Sequence, residues 1–243
     1  MLYVLIFIFG LIIGSFLNVC ISRIPRGESI VAPPSHCESC NRRLSPLDLI
    51  PVFSWLFLQG KCRYCNTQIS IKYPLIELLT GVLFVIIFLG AGLSNQFLPS
   101  LFLTSLLIII SFIDLEYYLI PNKVIVTGFV LGIVFHIVIP YLPWLDILLG
   151  FLVGGGILYL LAIASKGGMG GGDIKLAALI GFYQGLQGVL LSLFIGSFIG
   201  GTIGILLILT KIKSRKDPIP FGPFLSIGAI TTLFLHSFGF IIY

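Results

Sequence analysis

The chain has 243 residues, of which 58% are hydrophobic and 9% charged, and its mean hydropathy is +1.14. Water-soluble globular chains carry about 25% charged residues, so this composition excludes a soluble domain and describes a polytopic membrane protein. The formal charge of +5 does not point to a nucleic-acid partner, because the basic residues are placed as a topology signal.

Residues 1–22 open the chain without a basic flank or a cleavage-site pattern, so they are expected to be a retained transmembrane helix. A spanning helix needs about 20 apolar residues. On that measure membrane segments fall at 2–22, 75–93, 97–115, 123–139, 144–164, 174–184, 188–210 and 221–242. All eight are expected to be helices, since lipid offers backbone groups no partners and the runs lack the alternation of a barrel. The sixth is short: the twelve residues from Asp173 to Gln184 reach about 18 Å against a hydrocarbon core of about 30 Å. Either its outer turn is buried among neighbours or the preceding glycine loop dips inward with Asp173. The sequence reading leans toward the second, because irregular backbone is tolerated at depth where it lines a wet cavity.

Lysine and arginine fall at 23, 26, 42, 43, 61, 63, 72, 123, 166, 175, 211, 213, 215 and 216. With the 23–72 loop in the cytoplasm, alternation of eight helices puts all 14 on that side. The N-terminus is then outside, and Asp114 and Asp173 lie at cytoplasmic helix ends. The predicted fold is therefore all-α, with eight transmembrane helices and one small cytoplasmic tetra-cysteine module. Residues 1–22 form the first helix, 23–72 a cytoplasmic zinc-knuckle domain, and 73–243 a seven-helix membrane domain.

A soluble module of about 50 residues is marginal without a staple. Here the staple is two C-x-x-C pairs, Cys37/Cys40 and Cys62/Cys65, separated by 21 residues. Four thiolates so spaced can meet one tetrahedral ion, and Arg42, Arg43, Lys61 and Arg63 would favour the thiolate form. The alternative is two disulfides, which a reducing cytoplasm opposes. His36 beside Cys37 reads as a support for the ligands or a surface residue. Cys20, inside the first helix, reads as a small buried hydrophobe.

The stretch Ser165-Lys166-Gly167-Gly168-Met169-Gly170-Gly171-Gly172-Asp173-Ile174-Lys175 combines five glycines with one carboxylate. Glycine permits positive φ and close backbone approach, and a carboxylate at a membrane edge calls for a partner. Asp114 is the candidate partner, at the end of an apolar run that Pro121 stops. Two carboxylates held a few ångströms apart do not both ionise, so one acts as general acid while the other deprotonates water for attack on an amide. The plainer alternative makes each a helix-terminal charge, with Asp173 as a cap and Asp114 paired to Lys123 or Lys175. Glu77 would face a polar cavity or pair with Lys72. His136 and His236 read as interfacial, Lys211-Ile212-Lys213-Ser214-Arg215-Lys216 as a topology anchor against anionic lipid, and Gly196, Gly200, Gly201 and Gly204 as a packing face.

Taken together, Gly14-Ser15-Phe16-Leu17-Asn18-Val19 with Arg23-Ile24-Pro25, the two cysteine knuckles, Asp114-x-Glu116 leading to Ile120-Pro121-Asn122, and Gly170-Gly171-Gly172-Asp173-Ile174-Lys175-Leu176 resemble the bacterial type IV prepilin peptidases. The resemblance covers nearly the whole chain in order. It implies a bifunctional enzyme of the G-x-G-D aspartic class in the bacterial inner membrane. Such an enzyme cuts the basic leader from prepilin-like precursors at the cytoplasmic face and N-methylates the new amino terminus with S-adenosylmethionine. By that resemblance Asp114 and Asp173 are the protease pair, Gly170 and Gly172 shape the substrate loop, and Cys37, Cys40, Cys62 and Cys65 hold zinc. No motif marks the methyl-donor site, for which Glu77 is a candidate.

Other readings predict other things. A transporter would use the two aspartates as an ion path and leaves the cysteine loop without a reason. A scaffold recruiting partners through the zinc module would tolerate loss of both aspartates. A peptidase-only relative would not bind S-adenosylmethionine. The partners expected are prepilin or pseudopilin precursors and membrane lipids, with no nucleic acid.

Overall fold

The computed structural model describes residues 1–165, 168–214 and 217–239. Lys166, Gly167, Arg215, Lys216 and the end of the predicted last segment lie outside the described residues. Among the described residues eight α-helices form: α1 Leu2–Arg23, α2 Phe53–Phe57, α3 Lys72–Ala91, α4 Phe97–Tyr117, α5 Asn122–Val138, α6 Trp144–Ala164, α7 Gly171–Leu209 and α8 Gly222–Ser237. Among the described residues a single 3₁₀ turn covers Pro46–Leu49 and no strand forms. The chain is thus an all-helical, multi-pass membrane protein, in which α1, α3, α4, α6 and α7 are long and apolar enough to cross a bilayer outright.

The sixth and seventh predicted segments are one helical run, α7, with 39 residues. At about 1.5 Å per residue it measures close to twice a hydrocarbon core, and it breaks where the arithmetic requires. Gly185 has φ 68° and ψ −172°, a conformation open to glycine alone. The second half is capped at that break by Asp146, whose Oδ1 accepts the Leu186 N–H at 3.0 Å. Counted as two segments, α7 brings the total of apolar helical segments to the predicted eight, α5 and α8 being the short ones. The brevity of the first half is resolved by burial, since every residue from Leu176 to Gly185 is buried. That supports the first of the two solutions considered above.

The molecule divides into two compact units, residues 1–89 and 90–243. In the first, α1 and α3 cross backbone against backbone. A Cβ at Gly10 would lie 2.7 Å from Gly81 Cα and one at Gly14 2.6 Å from Glu77 Cα, the close approach that small residues four apart permit between membrane helices. Cys20 is buried among the apolar side chains of this unit, as expected.

In the second unit α4 is central, with Leu103, Leu107, Ile110 and Ile113 fully buried. The α6–α7 crossing depends on Gly150 and Gly181, each of which would drive a Cβ into the backbone of the other. Gly196 and Gly200 of α7 pack on Phe224 of α8, so that part of the small-residue face is a packing surface. A polar knot lies at the α7 break: Ser192 donates to Gln184 Oε1 at 2.7 Å, and Gln184 Nε2 donates to the Ala229 carbonyl at 2.8 Å. His136 is buried and sits edge-on to Tyr141 and Trp144, which makes it a core residue of this unit and not an interfacial one.

Candidate functional site

Asp114 stands on the last turn of α4. Tyr118 ends that helix in the left-handed conformation (φ 52°, ψ 39°) with its N–H on the Asp114 carbonyl at 3.0 Å, and Pro121 turns the chain into α5. The side chain is 6% exposed and accepts the Gly222 N–H on Oδ2 at 2.9 Å. Gly222 opens α8, so a free N–H and the positive end of a helix dipole are aimed at the carboxylate. The composition of Pro218-Ile219-Pro220-Phe221-Gly222-Pro223 explains the placement: proline cannot continue a helix and favours its first turn, which fixes where α8 begins.

Asp173 occupies the first turn of α7. Gly170 is the N-cap in extended conformation (φ −71°, ψ 138°); its carbonyl accepts the Asp173 N–H at 3.1 Å. Each carboxylate therefore lies at a helix N-terminus, Asp173 on its own helix and Asp114 on α8. The two are close enough to repel each other electrostatically.

Two contacts clamp the connection between α4 and α5 onto the start of α7. A Cβ at Gly172 would fall 2.9 Å from Ile120 Cβ, so only glycine lets the α7 backbone approach so near. Lys175 Nζ donates to Asn122 Oδ1 at 2.8 Å. The suggested pairing of Asp114 with Lys123 or Lys175 is not what forms, because Lys175 is spent on Asn122 and Asp114 on Gly222. The glycines act through space and not through unusual torsions: of the described residues in the stretch, none of Gly168, Gly170, Gly171 and Gly172 has positive φ. A Cβ at Gly170 would crowd Asp173 Oδ2 at 3.3 Å, so its absence leaves the carboxylate room.

Gly222, Ile120 and Asn122 were not singled out as site residues by the sequence. The available signal was a glycine between prolines opening an apolar run, which announces a helix start but not what faces it.

In the first unit the four cysteines converge. Cys37, Cys40, Cys62 and Cys65 place their sulfurs within 4.8 Å of one another, and Cys37 Sγ lies 3.8 Å from Cys65 Sγ. With metal–sulfur bonds of about 2.3 Å, a tetrahedral site needs sulfurs about 3.8 Å apart, so the donor set fits a thiolate-seeking ion. All four are free thiols, which does not support the disulfide alternative.

The two knuckles share one design. Cys37 N–H donates to Arg42 O and Cys62 N–H to Thr67 O, while Asn41 and Asn66 close the turns onto Cys37 O and Cys62 O. Both asparagines have positive φ, 54° and 58°, a conformation their short polar side chains tolerate. Arg42 stacks over the Tyr64 ring at 4.4 Å, tying one knuckle to the other, and Asp48 of the 3₁₀ turn accepts from Arg63 at 2.6 Å. Bonds from the Thr67 hydroxyl and backbone N–H hold the Cys65 thiol down to about 6. Burial works to raise the Asp48 carboxyl, but hydrogen bonds from Arg63 and Ser45 outweigh it and keep the group below its ordinary range.

Glu77, buried on α3, points into a cavity beneath the knuckles and accepts the Val52 N–H on Oε2 at 2.7 Å.

Residues 8–91 match the family model described as "Bacterial Peptidase A24 N-terminal domain", and residues 101–205 the one described as "Type IV leader peptidase family". Among curated relatives, a protein of Bacillus subtilis (strain 168) named "Prepilin leader peptidase/N-methyltransferase" is 39% identical over 93% of this chain and 91% of its own. Proteins of the same name from Aeromonas salmonicida (strain A449) and Neisseria gonorrhoeae are each 35% identical, over 92% and 91% of this chain and 87% and 86% of theirs. No solved structure matches this chain.

Proposed function

The chain belongs to the type IV leader peptidase family, and from that premise we propose that it removes the leader of prepilin-like precursors by aspartic catalysis at Asp114 and Asp173. The observation that supports this is that the end of α4, with Asp114, and the start of α7, with Asp173, are brought near each other where Gly172 packs on Ile120.

The pair shares one proton. The ionised carboxylate takes a proton from water, whose oxygen attacks the scissile carbonyl carbon, while the protonated partner donates to the carbonyl oxygen. Collapse of the tetrahedral species returns a proton to the leaving amine and restores the pair. The N-termini of α7 and α8 stabilise the carboxylate charge throughout. Gly170 and Gly172 keep side chains out of the approach, so an extended substrate can lie against the loop.

Cys37, Cys40, Cys62 and Cys65 are the ligands of a structural zinc ion, which would staple a module too small to hold itself. Residues 23–72 form that module on the cytoplasmic side of the bacterial inner membrane, and both aspartates open to the same side. The basic residues support this orientation. After cleavage the new amino terminus is N-methylated with S-adenosylmethionine as donor. Precursors of pilins or pseudopilins, which join a basic leader to an apolar helix, suit a site at that membrane edge.

The test is cleavage of a prepilin-type precursor by wild type, Asp114→Asn and Asp173→Asn in detergent, with a mass spectrum of the mature N-terminus. Wild type should cut after the leader and add about 14 Da for one methyl group. Each variant should lose at least about 10³-fold in cleavage, on the scale of removing an essential proton carrier. Cleavage surviving in either variant removes the aspartate mechanism.

A further inference from the structure

The second unit holds a described cavity of about 20 Å³, lined by Tyr141, Tyr183 and Gln184 and large enough for a water molecule. The first unit is different. Between the Ser22–Arg23 end of α1, the Tyr73–Glu77 end of α3 and the cysteine module lies a cavity of about 490 Å³, within the range of cofactor sites.

Its walls are fixed. Asn18 Nδ2 donates to the Tyr73 carbonyl at 3.0 Å and joins the ends of α1 and α3. Trp55 is held by its indole N–H on the Ile69 carbonyl at 3.0 Å and by Gly60, where a Cβ would meet the ring at 2.9 Å. The chemistry of the lining is specific. Glu77 is 8% exposed, and the group that hydrogen-bonds it, the Val52 N–H at 2.7 Å, is neutral. A buried carboxylate of this kind is costly without a cation to meet it. Trp55 and Tyr73 add aromatic rings, which attract cations and stack on purines. Arg23, itself buried, gives one N–H to the Ser29 carbonyl at 3.0 Å and has further donors of its planar fork for a carboxylate. Sulfonium, purine and amino-acid carboxylate are the three recognisable parts of one molecule.

We propose that this cavity is where the methyl donor, a sulfonium nucleoside of the S-adenosylmethionine type, binds, with Glu77 as the carboxylate that meets the sulfonium and prepares the pilin amine. The proposal rests on the methyl-transfer reading above. Glu77 takes a proton from the new terminal ammonium, leaving a neutral amine. The amine lone pair then forms the nitrogen–carbon bond to the methyl group as the carbon–sulfur bond breaks, its electron pair staying on sulfur and the positive charge passing to nitrogen. The Val52 N–H is the positioning group that orients the carboxylate.

The experiment uses the full-length protein in detergent with tritiated S-adenosylmethionine and a prepilin-type precursor, reading donor binding, leader cleavage and methylation separately. Two variants are compared with wild type: Glu77→Gln, and Ser22→Phe, which places a ring in the cavity from the α1 wall. Glu77→Gln should slow methylation by about 100-fold, the scale of a lost proton acceptor, and Ser22→Phe should weaken donor binding by about tenfold or more, as expected for a filled pocket. Cleavage in the same samples reports that the protein is folded. If Glu77→Gln loses cleavage as well, Ser22→Phe alone decides. Methylation at the wild-type rate by variants that still cut the leader overturns the cavity assignment. Wild type that cuts the leader but neither binds the donor nor methylates shows that the methyl-transfer reading itself has failed, and the proposal falls with it.

Discussion

Replacing Gly222 by alanine is the sharpest test of how Asp114 is held. An added Cβ would stand 2.8 Å from Asp114 Oδ2, and ordinary contact begins at 3.4 Å, so the carboxylate must retreat by about 0.6 Å. That retreat lengthens the 2.9 Å bond from the Gly222 N–H. A hydrogen bond to a charged acceptor is worth about 1.5–3 kcal/mol, which translates into roughly 10- to 100-fold in rate if the bond is lost in the transition state. A displacement of the same order at a reacting group is itself enough to slow an enzyme severely. Global unfolding would not be the cause, because alanine stabilises a helix over glycine by up to about 1 kcal/mol. The assay is initial-rate cleavage of a prepilin-type precursor, with the melting temperature measured in the same detergent. Slow cleavage with an undiminished melting temperature is the expected result. Cleavage at the wild-type rate would mean that the α8 N-terminus does not position Asp114.

Gly181→Ala forces α6 and α7 apart where Gly150 and Gly181 meet, and overpacking of that kind costs about 1–3 kcal/mol. Thermal unfolding in detergent should show a clear fall in melting temperature. Cys62→Ser removes one donor from the sulfur cluster, and bound zinc, measured by elemental analysis of the purified protein, should drop from about one ion per chain to nearly none. Asp48→Asn tests the tie between the 3₁₀ turn and the second knuckle through its pH dependence. The folded Asp48 carboxyl is held below its ordinary value of 3.8, so its stabilisation is complete above that pH and is lost as the pH falls through the folded value. Trp55 fluorescence should show the variant less stable than wild type at neutral pH, with the difference shrinking in strong acid.

Much of this architecture was legible because membrane segments announce themselves by length and polarity. The apolar runs and the spacing of the knuckles gave the helices and the sulfur cluster nearly in place, since both rest on local chemistry. The α7 break was visible as Gly185, but the cap that completes it, Asp146, lies 40 residues away and no local pattern joins the two. Asp114 and Asp173 were legible as candidates but not as neighbours, because two helices intervene and nothing in the spacing sets their separation. What brings them together is the approach of Gly172 to Ile120 and the bond from Lys175 to Asn122, which only the packed chain displays. Gly222 was missed for a related reason. Its contribution is a backbone N–H, and backbone groups leave no mark on a sequence beyond the prolines that fix where a helix starts.

The sulfur cluster also alters the unfolded chain. An ion shared by Cys37 and Cys65, 28 positions apart, would close a loop that otherwise explores a very large set of conformations. By the chain-entropy estimate such a link removes about 3–4 kcal/mol of unfolded-state freedom. For so short a stretch between two helices this is comparable to the whole stability expected of its core. Synthesis order follows from it: the loop emerges before α3, so early capture of the ion would shorten the tether between α1 and α3 while the later helices are still being made.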